Sequence, residues 1–407
     1  MTRAEPFLVD VLPALEAVPG MQPSTILVAG PLLPWVRYTG IQRLAIIGAA
    51  LFEGLAATPE EADTRLRSGA IRLGSCHEHG SVGSLTGVCT ASMPVLVVRD
   101  AASGTTTTCR MNEGPGAHAL TFGSTGDAVY ANLAWIRDKV APALGAAVRD
   151  SPIPLLPIMA RALADGDDLH GRQQSAGRIF HHAVRDRVVA GGRQPEELLS
   201  YLETAAFHFL HIAMAAAKAI STAAEGVPGS TVVTAMAMNE REFGVRVSGA
   251  PGVWFRAALP PLAPFRGVLQ APWTPEDLGY GGGDSLLMET LGMGGAAAAA
   301  APSLTRVSVG SVEAMKRLTA SLYSVTVTEH PILRIPSLGR GIPWGLDSAA
   351  VTAHGLVPPV HLGATLRTGG LAGAMLFTPP LQPFIDATKS LHDSAGARNG
   401  TGVDLVE

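Results

Sequence analysis

Four polar clusters interrupt an otherwise apolar chain, and their residue types are those of proton transfer, amide recognition and anion binding. In CHEHGSVGSLTG, His77 and His79 stand two apart, which in a strand turns both to one face, and the glycines that follow leave backbone N–H groups free to cradle an anion. A zinc site would need a third and a fourth ligand that this spacing does not supply, so loop or substrate contacts come ahead of metal. In RMNEGPGAHALTFGSTGD, Arg110, Asn112 and Glu113 leave a strand for a glycine-rich turn. Asn and Glu together offer a donor and an acceptor to an amide or ureido group; a turn in which Asn112 caps a helix and Glu113 is solvated explains them equally well.

The third cluster, DGDDLHGRQQ, places Asp165, Asp167, Asp168, His170 and Arg172 between two helices. Capping accounts for one aspartate but not for all, and Asp168 with His170 is the first candidate for an acid/base pair. The fourth joins MNEREFG, with Asn239 and Glu242, to GGGDSLLMET, with Gly281, Gly282, Gly283, Asp284, Ser285 and Glu289. Three glycines opening a helix suit a phosphate or carboxylate anion through free amides and the helix dipole. No G-K-[ST] follows, so this is not a Walker loop, and Ser285 lacks the G-x-S-x-G of a hydrolase elbow. A hinge is the other reading of the glycines, and an N-cap the other reading of Asp284. His208 and His211, at helical i,i+3 spacing among Phe and Ala, read as core or interface residues, and the adjacent His181 and His182 cannot both face one site.

The elements that must position these clusters fall into three stretches. Residues 1–128 read as an N-terminal α/β domain: the strand STILVAG, a Pro-broken loop, the helix IQRLAIIGAALFEGLAA, the exposed helix PEEADTRLRSG, then strands SMPVLVVRD and TTTTCRMN joined by AASG. Residues 129–225 carry long helical periodicities. From 226 to 387 strand character returns in TVVTAMAMN, FGVRVSG, VWFRAAL and FRGVLQAPW, with the hexa-alanine run before Pro302 as a tightly packed helix. Residues 388–407 have the composition of a flexible tail. The expected fold class is α+β or α/β, two α/β units with a helical middle region.

Composition bounds the function. The chain has 407 residues, 47% hydrophobic and 16% charged, too apolar for a disordered chain, and its 46 glycines and 30 prolines break any long coiled coil. A net charge of −4 gives no phosphate-neutralising field, so nucleic acid is not an expected partner. Four lysines stand against 26 arginines, whose planar forks suit carboxylate and phosphate ligands. The longest apolar stretch, AAFHFLHIAMAAAKAI, is shorter than a span of about 20 residues and holds His208, His211 and Lys218, so no membrane segment is expected. Cys76, Cys89 and Cys109 form no metal knuckle, and the acidic N-terminal segment does not read as a signal peptide; both point to the reducing cytoplasm. Neither a cofactor nor a metal is implied.

Taken in order, HEHGSVGSLTGVCTASMPVLVV, NEGPGAHALTFG, DGDDLHGR, GSTVVTAMAMNEREFGVRVSG, GGGDSLLMETLGMGG and GIPWGLD resemble a family, long classed as a domain of unknown function, that includes a subunit of oxamate carbamoyltransferase from anaerobic allantoin breakdown. The likeness covers about residues 25–385. It implies two α/β units with a helical insert, a homo-oligomer or multi-subunit complex, and chemistry on a carbamoyl group: oxalurate plus phosphate giving oxamate plus carbamoyl phosphate. That reaction needs a phosphate cradle, donors on the carbamoyl oxygen and a proton carrier for the leaving nitrogen, and no covalent intermediate. Read through the resemblance, Asp168, His170, Asp284 and Glu113 are the catalytic candidates; His77, Asn112, Arg172, Asn239, Ser285 and Glu289 bind substrate; Gly281, Gly282 and Gly283 hold the anion. Asp167 and Asp347 also match its motifs.

The chain departs from the family where His170, Gly171, Arg172 and Gln173 replace the usual H-N-R-N, where Met238 replaces an Arg, where Gly282 and Gly283 precede Asp284 in place of I-G, and where Leu366 and Arg367 replace His-Lys. Lost cationic and amide contacts change which anion fits. Amide hydrolysis or cyclisation in the same site, and a non-catalytic role completed by a partner chain, are the alternatives.

Overall fold

The computed structural model describes residues 1–114, 118–190, 195–205 and 207–400. Part of the turn expected after Glu113, residues 115–117, and the end of the expected tail, 401–407, lie outside the described residues.

The N-terminal half builds two sheets. In the larger, strands Pro94–Asp100 and Thr106–Arg110, adjacent as the turn AASG between them indicates, form an antiparallel pair, and Pro6–Pro13, Ser81–Val82 and Ile153–Pro154 complete five strands. The smaller sheet centres on Thr25–Val28, parallel to Arg72–Ser75 and antiparallel to Val88–Cys89. The exposed helix Pro59–Ser68 starts where Thr58 accepts a hydrogen bond from the Glu61 amide, with Pro at its first position, and ends at Gly69 in the left-handed region, both standard helix-end chemistry.

The middle helices do not have a core of their own. Leu8, Leu96 and Val98 of the five-stranded sheet pack in one apolar cluster with Ile158, Phe180 and Phe209, so this core runs across the boundary placed between 128 and 129. Helix His208–Thr222 is buried from His208 to Ser221 and is tied to the sheet where Thr107 Oγ1 donates to the Ala215 carbonyl at 2.7 Å. Among the described residues no single helix is long and apolar enough to cross a membrane.

The smaller N-terminal sheet has a second apolar cluster, and the C-terminal half forms a third around the sheets Phe255–Ala258/Glu242–Val247/Val233–Met238 and Gly267–Leu269/Leu371–Phe377/Val360–Leu366/Leu278–Gly279. The alanine run is buried and helical, but as a 3₁₀ turn over Gly294–Ala300. Helix Gln382–Gly400 continues through the segment expected to be a flexible tail, anchored by buried Phe384, Ala387 and Leu391. Both halves combine sheets with helices, parallel and antiparallel pairs in the N-terminal half and antiparallel pairs in the C-terminal half, an α+β fold as the patterning indicates.

Candidate active site

The halves are locked together at the glycine run. Within the C-terminal half Met238 and Gly283 exchange backbone hydrogen bonds; across to the N-terminal half the Asp284 amide donates to the Gly83 carbonyl and Thr86 N–H donates to the Gly282 carbonyl. A Cβ on Gly282, whose φ is +73°, would stand 2.6 Å from the Gln42 amide, so the run permits close approach of chain to chain. The amides of Gly283 and Asp284 are thus engaged by backbone carbonyls. Asp284 itself is buried and accepts from the amides of Gly30 at 2.6 Å and Gly83 at 2.8 Å.

Beside this junction lies a partly open cavity of about 90 Å³. Asn112, His170 and Ser285, from three of the sequence clusters, line it together with Ser84, Thr121, His211 and His361. In each cluster the carboxylate lies behind the lining. Glu113 pairs with Arg110 at 2.5 Å and accepts from the amides of Leu120 and Thr121. Asp168 accepts from the amides of His170 and Arg172 and from His361 Nδ1 at 2.6 Å. Glu289 accepts from His170 Nδ1 at 2.8 Å and from the Gly295 amide.

Two imidazoles are therefore oriented in the same way. With the carboxylates as acceptors, His170 and His361 each donate from Nδ1, which fixes the tautomer and turns Nε2 away from the carboxylate. His361 Nε2 and Ser285 Oγ are buried and have no hydrogen-bond partner among the described residues. Burial pushes the His361 pKa down, but the Asp168 hydrogen bond and charge prevail and hold it above the ordinary histidine value. Burial likewise pushes Asp168 up, and the bonds from His361 and the amides bring it below the usual carboxylate range. His211 is the opposite case: burial lowers it to about 4, and it sits neutral between the Arg110 carbonyl, 2.6 Å from Nδ1, and Asn112 Nδ2, 3.3 Å from Nε2.

Backbone strain concentrates here. Leu169, between Asp168 and His170, has φ +68°, and Thr86, next to the lining residue Leu85, has φ +42°. Positive φ at non-glycine residues costs about 1–3 kcal/mol each and persists where surrounding contacts over-determine it.

A model of the oxamate carbamoyltransferase subunit AllG family matches residues 71–285, and the AllG protein of Escherichia coli (strain K12) is 33% identical over 404 residues, 97% of this chain and 96% of that one. The chain belongs to the AllG family. The uncharacterized protein YahG of the same organism is 35% identical over 389 residues, covering 94% of this chain and 82% of YahG. The crystal structure of a conserved protein of unknown function from Enterococcus faecalis V583 superposes with a TM-score of 0.92 at 33% identity, over 96% of this chain and 95% of that one.

Other candidate residues of this AllG-family chain lie apart from the cavity. His77 and His79 do not share a face, because Cys76–His79 forms a 3₁₀ turn and not a strand: His77 is buried beside Asp284, while His79 Nδ1 meets the Pro19 carbonyl. Asn239 shapes a turn, accepting from the amides of Arg241 and Glu242 and donating to the Pro31 carbonyl. Arg172 lies 3.4 Å from Asp167, which accepts from the Ala176 amide in the first turn of helix Gln174–Ala190. Asp347 caps helix Ser348–His354. Among the described residues no group of three His, Cys, Asp or Glu is placed to hold a metal ion. Sequence reasoning missed His361 and discounted His211. The signal for His361 was a lone titratable side chain in the apolar strand VHLGATL.

Proposed function

We propose that this chain carries the reaction centre for carbamoyl- or ureido-group chemistry, as one component of a multi-subunit enzyme of the oxamate carbamoyltransferase type. The observation that carries the reading is the pair of imidazoles, His170 and His361, each held at Nδ1 by a buried carboxylate beside one cavity. In transfer from oxalurate, a phosphate oxygen bonds to the carbamoyl carbon, the C–N bond to the oxamate nitrogen breaks, and that nitrogen gains the proton that phosphate loses. His170 is the acceptor of that proton and His361, supported by Asp168, the donor to nitrogen. Ser285 Oγ–H and the Asn112 amide meet the charge that develops on the carbamoyl oxygen. Asp168 and Glu289 act through the histidines as positioning residues.

A specific observation favours a second reading, hydrolysis or cyclisation in the same cavity. Among the described residues no Lys or Arg lines it, and the Gly283 and Asp284 amides are engaged, so these residues offer phosphate no cationic cradle there. Product formation from oxalurate with and without phosphate separates transfer from hydrolysis. Activity that appears only with partner subunits places this chain within a complex. Activity that survives His361→Gln at the wild-type rate would remove the reaction centre from this cavity.

A further inference from the structure

The part of the cavity the mechanism leaves unused is apolar. Leu85, Phe122, Phe207, Leu210, Leu362 and Leu371 line it together with the histidines and Ser285. Phe122, Leu210 and Leu362 are buried, but Leu85, Phe207 and Leu371 are only partly so. Apolar surface left uncovered inside a cleft carries a free-energy cost that an apolar ligand group removes, at about 25 cal/mol for each Å² covered. The wall is also closely built: a Cβ on Gly363 would stand 2.6 Å from Leu85 Cδ1 and 2.8 Å from Leu371 Cδ1, so glycine there lets the two leucines close over the strand.

Oxalurate is small and polar throughout and has no apolar group to cover this wall, while either ureido acid brings one carboxylate into a space lined, among the described residues, by no Lys or Arg. Burying anions without paired cations is costly. The lining offers a carboxylate the imidazoles of His361 and His170, and the hydroxyls and amide beside them suit a ureido group.

Resting on the carbamoyl reading above, we infer that the substrate of this cavity is a monoanionic ureido acid bearing an apolar side chain, the class of N-carbamoyl-leucine, and not oxalurate. Titration calorimetry of the full chain tests this with three probes: N-carbamoyl-leucine, oxalurate, and 4-methylpentanoate, which has the apolar group and carboxylate but no ureido group. N-carbamoyl-leucine is expected to bind roughly ten-fold or more tightly than oxalurate, with a more negative heat-capacity change. Leu371→Asn is expected to abolish that preference, with Leu85→Asn as the second variant should the first not fold. Oxalurate binding as tightly as N-carbamoyl-leucine overturns the inference and leaves the carbamoyl reading standing. If 4-methylpentanoate binds as tightly as N-carbamoyl-leucine, ureido recognition fails while the apolar selectivity holds. Binding of neither ureido compound overturns both.

Discussion

Two buried Asp–His neighbours have opposite chemistry. At Asp168–His361 the ring makes a 2.6 Å hydrogen bond through Nδ1, its pKa is raised, and it borders the cavity. At Asp284–His77 the closest approach is 3.3 Å, too poorly directed for a hydrogen bond, and neither ring nitrogen of His77 has a partner among the described residues. Burial dominates there and lowers the His77 pKa, and the ring stands edge-on to Trp254 with centroids 5.1 Å apart. Asp284 instead organises backbone, accepting from the Gly30 and Gly83 amides. Carboxylate proximity alone does not mark a proton carrier; a directed hydrogen bond at one ring nitrogen and a cavity at the other do.

The comparison breaks most visibly in turnover. His361→Gln should lower the rate on a ureido substrate by about 10²–10⁴-fold with an unchanged circular dichroism spectrum, whereas His77→Gln should change it by less than about three-fold; equal losses would erase the distinction. Acid stability sharpens it next. His208 and His211 have no carboxylate hydrogen-bonded to the ring, and burial lowers both of these to about 4. Their unfolded forms take up protons near pH 6.5, so their stabilising effect is complete above that pH and is lost as pH falls towards 4, by up to about 3 kcal/mol for each. His361 has the reverse sign, its contribution being lost as pH rises through its raised pKa. Urea unfolding between pH 7 and 4.5 should show the falling limb, shallower in His208→Asn; an unaltered slope would be the contrary result.

Asp284→Asn should then cost about 1–3 kcal/mol, because one of two amides now faces an NH₂ group, and thermal melts measure it. The smallest effect is on titration: Asp168→Asn should leave burial opposed only by the Glu289 charge at His361 and move its pKa downward, which NMR of the ring protons follows; a pKa that stays put would show that Asp168 does not set it.

His170, Asn112 and Ser285 were legible because a polar residue beside glycines in a loop has few structural reasons to be there. The carboxylates were legible as a set but not in role, since sequence does not say whether an oxygen meets a backbone amide or a ligand. Asp168 and Glu289 each gather amides as well as an imidazole. The strands at 94–100 and 106–110 follow from β-rich runs joined by a short turn, and the helix at 59–68 from its polar helix-forming composition. His361 was hidden because its partner lies 193 residues away in the chain. The glycine run gave a signal with two meanings, and the structure uses its lack of side chains for backbone against backbone.

That interlock also sets a schedule. Asp284 ties down Gly83, 201 residues earlier, and Gly30, 254 residues earlier. A ribosome adding about 5–20 residues per second needs roughly 10–40 s to travel from Gly83 to Asp284. From Ile153–Pro154, the last strand of the N-terminal sheets, until Asp284 is made, the nascent N-terminal half has its strands but not the carboxylate that closes the loops at 30 and 83, leaving that edge open to chaperones and proteases.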